Sequence, residues 1–315
     1  MTTHDAQGFA TRVIHAGQGD NPHGALATPI YMTSTFCFDS VEDGMKKFTR
    51  EKPGFVYSRN GNPTTAALEA KCAAVEEGEA ALATSSGMGA ISSVFMSLLE
   101  MGDHVVGGKS LYGGSDFVLN RLHSYGITTS RVDITDLAKT RAAFTANTKI
   151  LYVESVVNPT MEVNDIKALA DLAHQHGAIL VVDNTFTPPP QFFPLRLGAD
   201  IVVHSTTKYL NGHGDSVGGM IIGPAARLAD MRLIGLRICG CPASPMNSWL
   251  VLRGMKTLDL RLRKHCENAM RVAQWLKKHP AVSPVFYPGL PDHPQHELAK
   301  RQFQGGLFGA WFPLR

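Results

Sequence analysis

Three residues stand where a buried strand gives way to polar sequence: a lysine, an aspartate and a glycine in a turn. Lys208 lies in HSTTKYLNGHGD (His204–Asp215), directly after the apolar run ADIVV. The small and hydroxyl residues before it, Ser205, Thr206 and Thr207, can hydrogen-bond phosphate oxygens. Lys208 would then either neutralise that phosphate or act as an amine nucleophile of lowered pKa. A solvent-facing lysine is the plainer reading. It leaves unexplained why two other suggestive positions also fall at strand ends.

The first of these is Asp183, which closes ILVVD and precedes Asn184-Thr185. A carboxylate at the end of a buried strand is costly unless something pairs with it. Capping a following helix, binding a metal and facing a cationic cofactor atom all remain open. The second is Ser85-Ser86-Gly87-Met88-Gly89 after AALAT. Small residues at a strand-to-helix turn free N–H groups that suit a phosphate. A tight turn needs glycine in any case, and the spacing is not G-x-G-x-x-G. Tyr57 and Arg59 in YSRNGNPT offer a hydroxyl and a guanidinium to a phosphate. Tyr112, after DHVVGG, could stack on an aromatic ring. Singly, each is more often packing or surface. Their co-occurrence carries the reading.

The elements that must position these residues follow from periodicity. From about Ala80, the short runs AALAT, DHVVGG, TTSRVD, KILYVES, AILVVDNT and ADIVVHSTT alternate with helix-length segments. One such segment is Val163–His176, ended by Gly177. Runs without strict alternation are expected of strands covered on both faces. The alternation predicts an α/β fold with a mainly parallel sheet flanked by helices, and ligands then bind beyond the carboxyl ends of its strands. Met1–Phe55 shows little periodicity and reads as an extended arm or packing segment. A long helical stretch, continuous or with breaks, is expected from Ser244-Pro245 to about Lys278. The domain reading is an N-terminal arm and inter-subunit segment (1–60), a large cofactor-binding α/β domain (61–245), and a long helix that begins a C-terminal domain (246–315).

Composition excludes several classes of function. The 315 residues carry a net charge of +3, with Lys and Arg scattered. There is no basic footprint for nucleic acid and no basic amphipathic face for a membrane. The apolar runs are too short to span a bilayer, and the N-terminus lacks the apolar core of a secretory signal. A cytoplasmic enzyme is expected. Five scattered cysteines argue against a disulfide framework. Cys239 and Cys241 lack the further ligands that zinc requires, so they read as ordinary thiols and no metal is expected. A nicotinamide dehydrogenase would also have an α/β sheet and a glycine turn, but it would need a G-x-G-x-x-G fingerprint and would give Lys208 no task.

In order along the chain, FATRVIHAG, ATPIYMTSTF, YSRNGNPT, SSGMGA, LYGG, ESVVNPT, VVDNT, HSTTKYLNGHGD and SPMNSWLVLRGMKTL together resemble the Cys/Met-metabolism family of pyridoxal-phosphate (PLP) enzymes. That family includes cystathionine γ-synthase, cystathionine lyases and methionine γ-lyase. The resemblance implies the aspartate-aminotransferase-like fold (PLP-dependent transferase fold type I) and an active site shared within a dimer, usually inside a tetramer. It implies Lys208 as the Schiff-base lysine and proton shuttle, and Asp183 as the partner of the pyridine nitrogen. Tyr112 would stack over the ring. Gly87 and Met88 N–H groups with Ser205 and Thr207 hydroxyls would form the phosphate cup. Tyr57 and Arg59 would reach the phosphate of the neighbouring subunit, and Asn158 would sit beside the cofactor's phenolic oxygen.

The reaction so implied is PLP-dependent γ-elimination from a sulfur-containing or related γ-substituted amino acid. The alternatives are γ-replacement, joining an O-acylhomoserine to a thiol or sulfide, and a catalytically incomplete PLP-binding fragment. Methionine γ-lyases carry a cysteine after the LYG triplet and a Lys-Asp pair after GL; here those positions are Gly114 and Arg237-Ile238. A different leaving group is therefore open, and Arg237 would supply the charge of the missing lysine. The sequence stops at GGLFGAWFPLR, where the resemblance implies a C-terminal subdomain bearing the substrate-carboxylate arginine. The expectation is PLP binding with poor turnover.

Overall fold

A computed structural model describes residues 8–19, 21 and 23–303. The GGLFGAWFPLR segment lies outside them. In chain order the helices and strands begin α1 (Phe9–His15), α2 (Val41–Thr49), α3 (Pro63–Glu76), β1 (Ala80–Thr84), α4 (Gly87–Leu98), β2 (His104–Gly108) and α5 (Gly113–Leu122). They continue β3 (Thr128–Val132), α6 (Leu137–Ala142), β4 (Thr148–Glu154), α7 (Ile166–Gln175), β5 (Ile179–Asp183) and β6 (Ile201–Ser205). The remainder are β7 (Gly219–Gly223), α8 (Ala225–Met231), α9 (Pro245–Met255), α10 (Leu258–Leu276) and α11 (His296–Gln302). The chain divides into two compact units. One runs up to Ser97 and resumes over Ser205–Lys256; the other is Leu98–His204 with the chain from Thr257 onward.

The second unit holds the parallel sheet, ordered β6-β5-β4-β2-β3. β2 is buried throughout and β4 at every position but Lys149, as strands covered on both faces must be. In a parallel sheet the carboxyl ends share one edge, so Gly108, Val132, Glu154 and Asp183 finish on the same side. The helix expected over Val163–His176 starts later, at Ile166. Val163 is still extended, bridged to Val156, and Asp165 caps the helix by accepting from the Ala168 N–H at 3.2 Å.

The first unit contains β1 and β7, paired antiparallel. α3 starts on Pro63 with the Asn62 side chain accepting from the Thr64 N–H at 2.9 Å. α9 starts on Pro245 with Ser244 accepting from the Asn247 N–H at 3.1 Å. The helical stretch expected from Ser244 is thus two helices, α9 and α10, interrupted at Lys256-Thr257. The segment before Phe55 is not wholly irregular. It forms α1, whose Val13 is buried, and α2, capped by Ser40. No helix among the described residues is long and apolar enough to cross a membrane.

Candidate active site

Within the first unit, β1 ends at Thr84 and α4 begins at Gly87. Ser86 caps this start, its hydroxyl accepting from the Gly89 N–H at 2.9 Å. The N–H groups of Gly87 and Met88 are among the donors that a helix start leaves without an intrahelical partner. Gly87 is required by crowding: a Cβ there would stand 2.8 Å from the Ser205 Cβ and 3.1 Å from its Cα. That approach brings Ser205 against the helix start. The N–H groups left free at this helix start suit an anion, while the glycine itself is explained by the close approach of Ser205.

Lys208 sits three residues past β6 in a tight turn, its N–H bonded to the Ser205 carbonyl at 3.2 Å and its carbonyl to the Gly212 N–H at 2.7 Å. Its side chain is exposed and makes no ion pair among the described residues. The Thr207 hydroxyl is already engaged: it donates to the Gly218 carbonyl at 3.3 Å and accepts from the Gly218 N–H at 3.1 Å. Thr206 is buried.

Tyr57 and Arg59 are exposed and packed on each other, with the guanidinium 5.5 Å from the ring centroid. Arg59 also donates to the carbonyl of Arg237 in its own chain. Arg237 is exposed, in a π-helical turn over Arg232–Ile238. Cys239 and Cys241 carry free thiols, and no cluster of metal-ligating side chains is present among the described residues.

Within the second unit, Asp183 closes β5 opposite Glu154 of β4. No helix follows it directly, so the capping reading falls away. Its Oδ1 accepts from the Thr185 N–H at 3.0 Å and the Thr185 hydroxyl at 2.6 Å, while Oδ2 faces the buried Tyr152 hydroxyl at 3.5 Å. Asp183 is surrounded by protein yet keeps some accessible surface. Burial raises its carboxyl above the ordinary range, against the Thr185 donors and nearby His204, which lower it. A cation placed on that accessible surface would stabilise the ionised form.

Tyr112 and Asn158 are joined through Glu154, a strand-end carboxyl absent from the sequence-derived candidates. Glu154, which closes β4, accepts from the Tyr112 N–H at 2.5 Å and from the Asn158 N–H at 3.1 Å. It is 4% exposed, and burial together with the Asp183 charge pushes its carboxyl up to about 8. The Tyr112 ring is 49% exposed and open to a stacking partner.

The residues present fit PLP by their chemistry. The first unit offers an anion corner and an accessible amine; the second offers a carboxylate suited to a cationic ring nitrogen and an exposed aromatic ring.

A sequence profile described as "Cys/Met metabolism PLP-dependent enzyme" matches residues 10–312. The chain is 49% identical over 298 residues to an L-methionine gamma-lyase of Porphyromonas gingivalis, covering 94% of this chain and 75% of that protein. It is 43% identical to an O-succinylhomoserine sulfhydrylase of Pseudomonas aeruginosa, covering 96% and 74%. Among solved structures, a putative O-acetylhomoserine (thiol)-lyase of Campylobacter jejuni matches with a TM-score of 0.94 at 29% identity, covering 98% and 85%. That structure carries an N'-pyridoxyl-lysine-5'-monophosphate.

Proposed function

The chain belongs to the Cys/Met-metabolism family of PLP-dependent enzymes, and from that premise we propose that it is a carbon–sulfur lyase. It eliminates the γ-substituent of a sulfur-containing amino acid and, with water, yields a 2-oxo acid, ammonia and a thiol. The observation that carries this reading is the 49% identity to an L-methionine gamma-lyase across 94% of the chain.

Bound PLP supplies an electron sink for negative charge developing at the substrate α-carbon. The chain's own residues do the rest. Lys208 would hold the cofactor through its amine, and the same lysine amine, when free, would be the base for the α-proton and a carrier of protons between carbons. Asp183 keeps the ring nitrogen protonated. Tyr112 would stack on the ring and assist proton transfer near the leaving group. The Gly87 and Met88 N–H groups with the Ser205 and Thr207 hydroxyls would hold the phosphate, and Asn158 would serve the phenolic oxygen.

The enzyme works as a homodimer, paired further into a tetramer, in the cytoplasm, with Tyr57 and Arg59 serving the neighbouring subunit. Large apolar side chains left exposed on the segment that carries them, among them Leu26, Met32, Val41 and Phe48, support a subunit contact there.

A second reading, γ-replacement, is favoured by the 43% identity to an O-succinylhomoserine sulfhydrylase and by Gly114 and Arg237-Ile238. A panel of methionine, cystathionine, homocysteine and O-acylhomoserines, assayed for ammonia and 2-oxo acid with and without added thiol, separates the two. Elimination releases both products without thiol. Release of the acyl group as carboxylate from O-acylhomoserines alone, only with thiol or sulfide and without ammonia or 2-oxo acid, would replace the lyase by the synthase.

A further inference from the structure

Glu154 is a buried carboxylate without an ion pair among the described residues. Such a group is expensive unless its oxygens are occupied. Both are, and by backbone N–H groups from different segments: Tyr112, 42 positions earlier, and Asn158, four positions later. Its own carbonyl accepts from the Asn164 side chain at 2.8 Å. Both anchored residues are ones whose placement matters to the reaction proposed above.

We propose that Glu154 is the positioning residue of this half of the site, one carboxylate clamping the Tyr112 turn and the Asn158 loop to the end of β4 beside Asp183. This rests on the proposed roles of Tyr112 and Asn158, but the clamp itself does not. Tyr112 needs such an anchor. It occupies the N-cap position of α5 with no side-chain cap, and its ring is too exposed for burial to fix it. On the other side, Val156 and Val163 bridge and the Val157 N–H reaches the Glu162 carbonyl at 2.9 Å, which forms the loop without fixing Asn158. Backbone anchoring leaves both side chains free for their work.

The test is hydrogen exchange on the PLP-loaded protein, comparing wild type with Glu154→Gln and Glu154→Ala. Peptides spanning residues 109–116 and 155–163 are expected to exchange about two- to tenfold faster in Glu154→Ala, the loss of one hydrogen bond at each. Glu154→Gln keeps one acceptor oxygen and turns an NH2 toward the other donor, so it should loosen one peptide and largely spare the other. This arm survives even if the alanine variant does not fold. Wild-type exchange at both peptides in Glu154→Gln would overturn the clamp. If Lys208 proves not to carry the cofactor, the same exchange pattern still reports on Glu154, so the two readings fail separately.

Discussion

Gly87 stands so close to Ser205 that a Cβ on the glycine would lie 2.8 Å from the serine Cβ. The obstructing atoms sit at the root of Ser205, including its Cα at 3.1 Å, so no flexible side chain can swing clear. Gly87→Ala must therefore push the helix start and the end of β6 apart, an overpacking cost of about 1–3 kcal/mol. If that corner holds the phosphate, PLP affinity falls about ten- to a hundredfold. An absorbance titration of the apoprotein with PLP measures it, and an unchanged affinity would remove Gly87 from the cradle.

Asp183 depends on Thr185 for its charge. Thr185→Val deletes the 2.6 Å hydroxyl bond and keeps the N–H bond. Removing a donor to the ionised form raises the carboxyl further above its ordinary value, in the direction burial already drives it. Protonated, Asp183 cannot hold a cationic ring nitrogen, so the acid limb of the kcat/KM profile should move to higher pH. At neutral pH, kcat/KM should fall about tenfold, against a fall of about a thousandfold for Asp183→Asn. Superimposable pH profiles for wild type and Thr185→Val would count against this role for Asp183.

Most strands were legible because burial leaves a plain mark: apolar runs matched β1, β2, β4, β5 and β6, while the edge strand β3 is polar and has no buried residue. Asp183 and Lys208 followed from the same mark. Glu154 closes KILYVE in the same way, yet its importance lies in two bonds to main-chain N–H groups. Any residue can supply those, so Tyr112 and Asn158 carry no trace of them in sequence. β7, GMIIG, is five residues bounded by glycine, and its partner β1 lies more than a hundred residues earlier, so no local signal marks the pair. α1 is short, and a tertiary contact ties it down: the Lys71 ammonium donates to the carbonyls of Val13 and Ile14 at 2.8 and 3.0 Å.

That lysine sets a pH dependence of stability. Lys71 is 1% exposed, and burial lowers its pKa from 10.5 to about 8, with the Lys256 charge lowering it and Cys72 opposing. Below pH 8 both folded and unfolded chains carry the proton, and the fold bears the cost of burying it. Between 8 and 10.5 the unfolded chain binds the proton that the folded chain has released, so stability rises with pH, by ~3 kcal/mol at most. Lys71→Met should lack this rise. Melting temperatures at pH 7 and pH 10 should therefore climb relative to the variant in the wild type alone. Parallel behaviour would mean that the ammonium is not held as the structure shows.

A shared site makes a quantitative demand on mixed subunits. In its own chain Arg59 packs on Tyr57 and reaches the Arg237 carbonyl, so it is ordered without touching its own Lys208 turn. If Arg59 serves the neighbour's phosphate, Lys208→Ala and Arg59→Ala should each be nearly inactive alone, for different reasons. In a mixed dimer one site inherits both defects and the other inherits neither. Random reassortment of equal amounts places half of the chains in mixed dimers, so about a quarter of wild-type activity should return. Unfolding and refolding the variants together, with separately refolded samples mixed afterwards as the control, supplies the comparison. No recovery from the co-refolded sample, with dimers confirmed by light scattering, would place Arg59 in service of its own subunit.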